Sequence, residues 1–255
     1  MDTIGIVGGM GPQAGVGLFN SVLSFTQASR DQDHLPVVLM SFPNLIGDRT
    51  AFLDGEISTN PAHSISEVIR KLEAADAKVV AMACNSAHAP PIYDVVVSAL
   101  RKRKSGVKLL HMPFETCRYI SDHHKNVRRI GVMSTNGTYK TRLYEQLITQ
   151  MGCEVVLPPF QFQNEVIHRM IYDEQVGLKS KNHVTEYVIL LASRAIDYFR
   201  DRKADAIILG CTELPMAIRE QKVNDMLIFD STAITARALI REATRKTPVE
   251  LEYLP

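Results

Sequence analysis

Tryptophan is absent from this 255-residue chain, and so is any marked imbalance of charge. Lysine and arginine number 29 against 28 aspartates and glutamates, a formal net charge of +1. There is no basic surplus to draw a nucleic acid or an anionic membrane surface. The one basic run, Arg101-Lys102-Arg103-Lys104, is short and reads as the solvated end of a helix. Long apolar stretches are missing too: none approaches the ~18 residues of a membrane-spanning helix. The start, Met1-Asp2-Thr3, enters an apolar segment without the basic beginning and long hydrophobic core of a secretion signal. A cytoplasmic location is therefore expected, where thiols stay reduced. The four cysteines (Cys84, Cys117, Cys153 and Cys211) form no Cys-x-x-Cys pair and no zinc spacing, which predicts free thiols and no metal site.

The composition is otherwise that of an ordinary globular protein, with 45% apolar and 22% charged residues. Short β-rich runs fall at 3–7, 36–41, 78–83, 108–111, 129–133, 153–157, 206–209 and 227–229. Most are continuously apolar, as parallel strands covered on both faces must be. Helical patterns lie between them, for instance at 61–75, 91–103, 139–151, 182–202 and 231–243. Such alternation predicts a parallel α/β architecture.

The pattern also repeats. "TIGIVGGMGP" from Thr3 resembles "RIGVMSTNGT" from Arg129, and "AKVVAMACNSAH" from Ala77 resembles "ADAIILGCTELP" from Ala204. Gly5 and Gly131 lie 126 positions apart, and Cys84 and Cys211 lie 127 apart. Two landmarks with nearly one offset predict two similar Rossmann-like domains with parallel sheets, related by a pseudo-two-fold. The first is expected over 1–114 plus 213–255 and the second over 115–212, with the strand at 227–229 in the first. A ligand site is expected in the cleft between them, because open α/β sheets bind outside the carboxyl ends of their strands.

Gly9-Met10-Gly11-Pro12-Gln13-Ala14 has the outline of a dinucleotide-binding turn, G-x-G-x-x-A. That role needs an acid about twenty residues on, at the end of the second strand, to hold the ribose. Here the strand ends Leu39-Met40-Ser41, and Asp31 and Asp33 precede it. Pro12 instead predicts a helix start, since its missing N–H is tolerated at the first helical position. The glycines make room for something smaller than a nucleotide.

Cys84 and Cys211 occupy matching positions, each just past a strand and ahead of an expected helix. A helix N-terminus favours anions, so each sulfur is expected to be partly thiolate. One buried cysteine is ordinary packing; two at equivalent strand ends, each followed by a hydroxyl or amide residue, favour a functional role over a structural one. Cys117, within an expected helix, and Cys153, at a strand start, carry no motif and are read as structural.

Taken together, "GGMGP", "ACNSAH" and "GCTELP" resemble the aspartate/glutamate racemase family, and "DRT" at Asp48–Thr50 resembles its aspartate racemase branch. The resemblance spans most of the chain. It implies a racemase without pyridoxal phosphate, metal or nucleotide, acting on a small amino acid and often dimeric. One cysteine thiolate removes the α-proton and the other, as a thiol, returns a proton to the opposite face. Cys84 and Cys211 would exchange these roles with the enantiomer bound. Asn85, Ser86 and Thr212 are expected to meet the α-carboxylate, and Thr135 and Thr138 of "STNGT" to line the ligand, although helix capping explains them equally well. Met10 and Gly11 would bring backbone close to the substrate. Arg49 would hold the side-chain carboxylate, for which a guanidinium is suited; its alternative is a surface ion pair with Asp48 or Asp54. Glu213 and His88 are candidates to assist a cysteine, or plain first-turn helix residues.

Two departures from the family pattern matter. Gly15 stands where threonine or serine is common. The stretch "QFQNEVIHRM" before Ile171-Tyr172 lacks the lysine that the resemblance leads one to expect for the distal carboxylate; His168 and Arg169 are its only basic residues. Aspartate is the first expectation for substrate, with glutamate or a wider range open. A hydantoin racemase or maleate isomerase on the same scaffold is the enzymatic alternative, and a two-lobed binding protein for small anions the non-enzymatic one.

Overall fold

A computed structural model describes residues 1–181 and 183–245. Asn182, the expected start of one helix, and residues 246–255, the end of the expected first domain, lie outside the described residues. In chain order the strands are β1 (Thr3–Gly8), β2 (Val37–Ser41), β3 (Ala77–Met82), β4 (Lys108–Leu110), β5 (Arg129–Ser134), β6 (Glu154–Val156), β7 (Ala206–Gly210), β8 (Lys222–Val223) and β9 (Met226–Asp230). The helices are α1 (Pro12–Phe25), α2 (Arg49–Leu53), α3 (Ala62–Ala74), α4 (Pro90–Lys102), α5 (Met112–His123), α6 (Asn136–Lys140), α7 (Leu143–Gln150), α8 (Phe160–Phe162), α9 (Arg169–Tyr172), α10 (Glu186–Asp201) and α11 (Ser231–Ala243). A π-helical turn, Gln163–His168, joins α8 to α9.

The chain divides into two units, Met1–Glu115 with Thr232–Pro255, and Thr116–Ser231. The first holds a parallel sheet in the order β2-β1-β3-β4. Its strands are apolar on both sides because both sides are covered. Val80 and Met82 of β3 pack with Ile65, Ile69 and Leu72 of α3 and Val96 and Leu100 of α4. Their neighbours Val79 and Ala81 face the other way, against Leu18 and Val22 of α1 and Leu239 of α11. Pro12 opens α1, as its locked backbone predicts.

The second unit holds β6-β5-β7-β9-β8, parallel except for β8, which pairs antiparallel with β9. Here the expected boundary needs correction. The strand at 227–229 is expected in the first domain, but β9 is bonded along β7, with Ile207 opposite Ile228. The return to the first unit therefore falls at Ser231/Thr232, not after Thr212, and among the described residues α11 is the element that goes back. The two-residue β8 carries too little pattern to be seen in sequence. The helix expected over 139–151 is also two pieces, broken at Arg142, whose φ of 54° lies in the left-handed region.

Register makes the repeat concrete. Gly5 of β1 lies opposite Val80 of β3, and Gly131 of β5 lies opposite Ile207 of β7. Cys84 follows Val80 by four residues, and Cys211 follows Ile207 by four. The two thiols thus occupy one position of a shared βαβ plan.

Candidate active site

The opening turn is shaped by packing. Gly9 has φ +87°, and a Cβ there would lie 2.8 Å from the backbone nitrogen of Phe42. Only glycine meets both conditions. A side chain at Gly15 would meet Leu39 at 2.9 Å, so the glycine in place of the family's hydroxyl residue lets α1 sit down on β2. Met10 is buried and Gly11 caps α1. The Met10 carbonyl accepts from Arg49 Nη2 at 2.7 Å, and the Gly47 carbonyl accepts from Nη1 at 3.0 Å. Arg49 is thus buried at 5% exposure and tied to the turn. Asp48 caps α2, its carboxylate accepting from Ala51 N at 2.8 Å.

Cys84 lies two residues past β3, buried, its N–H donating to the Met82 carbonyl at 2.8 Å. A 3-10 turn, Ser86–His88, comes next, and α4 begins only at Pro90. Asn85 and Ser86 are buried within this turn. His88 is buried completely and its pKa falls to about 4, chiefly through loss of hydration. It is neutral: Nδ1–H donates to the Cys84 carbonyl at 2.9 Å, and Nε2 accepts from Met112 N at 3.2 Å. His88 stacks near Tyr93, and His111 meets both rings edge-on at 4.8 and 4.6 Å. The imidazole thereby fixes the backbone of Cys84 through its carbonyl.

Cys211 follows β7 directly and precedes a second 3-10 turn, Leu214–Met216. The expectation of an α-helix N-terminus behind each cysteine is therefore corrected: neither is followed directly by one. Nor is Cys211 acidified. Burial raises its pKa well above the usual thiol value, and the adjacent Glu213 charge adds to the rise, opposed by Lys179. The thiol donates to Glu213 Oε2 at 3.0 Å, and Thr212 Oγ1 donates to the same oxygen at 3.2 Å. Glu213 Oε1 accepts from Lys179 Nζ at 2.7 Å. Despite burial, this cation and the donated hydrogen bonds hold the Glu213 pKa below its ordinary value, so the carboxylate is ionised.

The "STNGT" turn ends β5. Thr135 caps α6, Oγ1 accepting from Thr138 N at 3.4 Å, and both threonines are buried. The π-helical turn backs it: buried Gln163 donates to the Ser134 carbonyl at 2.8 Å, and Asn136 N donates to His168 Nδ1 at 3.2 Å. His168 stacks on Tyr172, and Arg169 pairs with Asp173 at 3.1 Å. Lys179 and Gln163 carry no sequence signal. Lys179 meets its partner across 34 positions, and Gln163 sits in a turn whose period is neither helical nor extended. Cys117 is buried with its pKa pushed up to about 12, and the Cys153 Sγ donates to the Val127 carbonyl at 3.5 Å.

Among the described residues no group of three or more His, Cys, Asp or Glu is arranged to hold a metal ion, and no helix is long and apolar enough to cross a membrane. The fold and these strand ends define a class: a doubled α/β protein with one thiol at each of two equivalent strand termini. The family model for Asp/Glu/hydantoin racemases matches residues 7–239, and the chain belongs to that family. The broad-specificity amino-acid racemase RacX of Bacillus subtilis is 25% identical over 250 residues, covering 93% of this chain and 96% of its own. The solved aspartate racemase of Picrophilus torridus superposes with a TM-score of 0.78 at 27% identity, over 95% of this chain and 94% of its own. The glutamate racemase of Francisella tularensis shares the fold, with a TM-score of 0.67 at 18% identity, over 96% of this chain and 84% of its own.

Proposed function

We propose that this member of the racemase family interconverts the L and D forms of aspartate, and of glutamate or a wider range of amino acids, without pyridoxal phosphate. Cys84 and Cys211 act as base and acid on opposite faces of Cα. The observation that carries the reading is the matched placement of the two thiols, four residues beyond residues paired with Gly5 and Gly131. Inversion by two bases needs one group to remove the α-proton and another to return one on the opposite face, and a duplicated strand end supplies such a pair. The likeness to an aspartate racemase and to a broad-specificity racemase supports this substrate range. Arg49, already oriented by two backbone carbonyls, is the cation offered to a side-chain carboxylate. Its bonds to Met10 and Gly47 would have to be shared or released on binding. Asn85, Ser86 and Thr212 supply hydrogen bonds to the α-carboxylate, where stabilising developing carbanion charge lowers the barrier most, and Thr135 and Thr138 line the ligand. We place the protein in the cytoplasm, as a homodimer.

L-Aspartate, L-glutamate and a neutral amino acid incubated with the protein should each be assayed for the D enantiomer and for α-deuterium uptake from heavy water. Cys84→Ala and Cys211→Ala should each lower racemisation by on the order of 10³-fold. Full activity in either variant excludes the two-thiol mechanism. A covalent adduct formed with maleate, without α-proton exchange, would point to the isomerase alternative.

A further inference from the structure

Lys179 has no part in the family resemblance carried by the sequence motifs, yet it is the cation of the Cys211 hydrogen-bond network. It is held there by a well-tied turn. Leu178 N and Lys179 N donate to the carbonyls of Met170 and Ile171, both at 3.0 Å, and Gly177 N donates to the Asp173 carbonyl at 2.9 Å. The Asp173 carboxylate accepts from Gln175 N and Val176 N. From this turn Nζ reaches over the Tyr172 ring, 5.4 Å from its centre, to Glu213. The Lys179 and Glu213 side chains are only 19% and 5% exposed. The two Glu213 oxygens are therefore divided: one faces the ammonium, the other the Cys211 thiol and the Thr212 hydroxyl.

We infer that Lys179 is a positioning residue for Cys211: by clamping one oxygen of Glu213 it fixes the carboxylate that holds the thiol proton, and so sets the pH range over which Cys211 exchanges that proton. The inference rests on the racemase reading for its catalytic meaning, though not for its physical content. In the step concerned, the Cys211 S–H bond breaks as a Cα–H bond forms, leaving a thiolate beside an ionised carboxylate. Two adjacent anions are unfavourable, and the Lys179 charge offsets the second. In the reverse direction the thiolate takes the α-proton and the pair returns to its resting state. Among the described residues, Lys179 faces the Cys211–Glu213 pair and Tyr172 lies under its ammonium, with His168 behind the Tyr172 ring. The competing role for Lys179 is to hold the side-chain carboxylate of an acidic substrate.

The experiment measures alkylation of Cys211 by iodoacetamide against pH in the full chain, resolved from the other cysteines by peptide mass spectrometry. Wild type, K179M, K179R and E213Q are compared, with kcat and KM for L-aspartate and for a neutral amino acid. In K179M the Cys211 profile should move up by about one pH unit, about tenfold slower alkylation at a fixed pH below the titration. K179R should restore it. kcat should fall for both substrates with KM little changed. E213Q, which removes the anion and keeps the cation, should move the profile down; it reads the same network if K179M does not fold. An unmoved profile in folded K179M, or an unmoved or raised one in E213Q, overturns the inference. So does a K179M defect confined to the KM for aspartate, which would assign the lysine to substrate. Absence of racemisation by wild type for every amino acid tried would overturn the functional reading alone, leaving the alkylation result to stand.

Discussion

The two thiols share one position in a doubled fold and sit in opposite chemical surroundings. At Cys84 the contact that fixes the backbone is neutral: an uncharged His88 grips the cysteine carbonyl, packed among Tyr93 and His111. Around Cys211 they are ionic: a carboxylate on the sulfur and an ammonium on the carboxylate. Duplication thus preserved where the sulfur stands and left free what touches it. Geometry is set by strand register, which few substitutions disturb, whereas the charge beside a thiol changes with one side chain. For a reaction that inverts one carbon this asymmetry carries no thermodynamic penalty. The two enantiomers are of equal energy in water, so the forward and reverse kcat/KM must be equal whatever each thiol costs to ionise.

Removing the carboxylate is the strongest way to break the contrast. E213Q should lower kcat by on the order of 10²-fold, the usual contribution of a positioned proton-transfer partner. E213D, which keeps the charge but retracts it, should recover part of that loss. An E213Q enzyme with wild-type kcat would show that the Cys211 surroundings are merely structural.

The neutral side of the comparison is read by stability instead of rate. Burial holds His88 at about 4 against the ordinary 6.5, so between these values the unfolded chain binds a proton that the folded one refuses. Stability from this group is complete above pH 6.5 and is lost as the pH falls towards 4, by up to about 3 kcal/mol. His111, also depressed by burial, acts in the same direction. Chemical denaturation of wild type from pH 7.5 to 4.5 should show this decline, and H88N should flatten it. A slope unchanged in H88N would show that His88 takes up its proton in the folded protein as readily as in the unfolded one.

Much of this is legible in the sequence, and the illegible parts have a common cause. Continuous apolar runs mark the strands covered on both faces, Pro12 marks its helix, and the Gly5/Gly131 and Cys84/Cys211 offsets mark the repeat. Each is a local pattern or a spacing along the chain. The expectation for β9 fails because the identity of a strand's neighbour is a fact of pairing, absent from Met226–Asp230 itself. The thiolate expectation fails at Cys211 because burial and the Glu213 carboxylate set that thiol, and neither is announced by a spacing along the chain. Lys179 is silent in the sequence because its meaning comes wholly from Glu213, and its turn lies beyond the stretch before Ile171 where a lysine is expected.

Thr212 offers the smallest and sharpest test, because it follows Cys211 as Asn85 follows Cys84 and has two roles that kinetics can separate. Its hydroxyl donates to the same Glu213 oxygen as the thiol, 3.2 Å away, so the two donors share one acceptor. If orienting Glu213 is its whole task, T212V should cost one charge-assisted hydrogen bond on a partly exposed side chain. That is about 1 kcal/mol, or roughly fivefold in kcat at unchanged KM, and T212S should be nearly wild type. If the hydroxyl instead meets the substrate α-carboxylate, T212V should raise KM for acidic and neutral amino acids alike, since every substrate carries that group. The Cys211 alkylation profile decides between them: it shifts only if the lost bond was one that steadied Glu213.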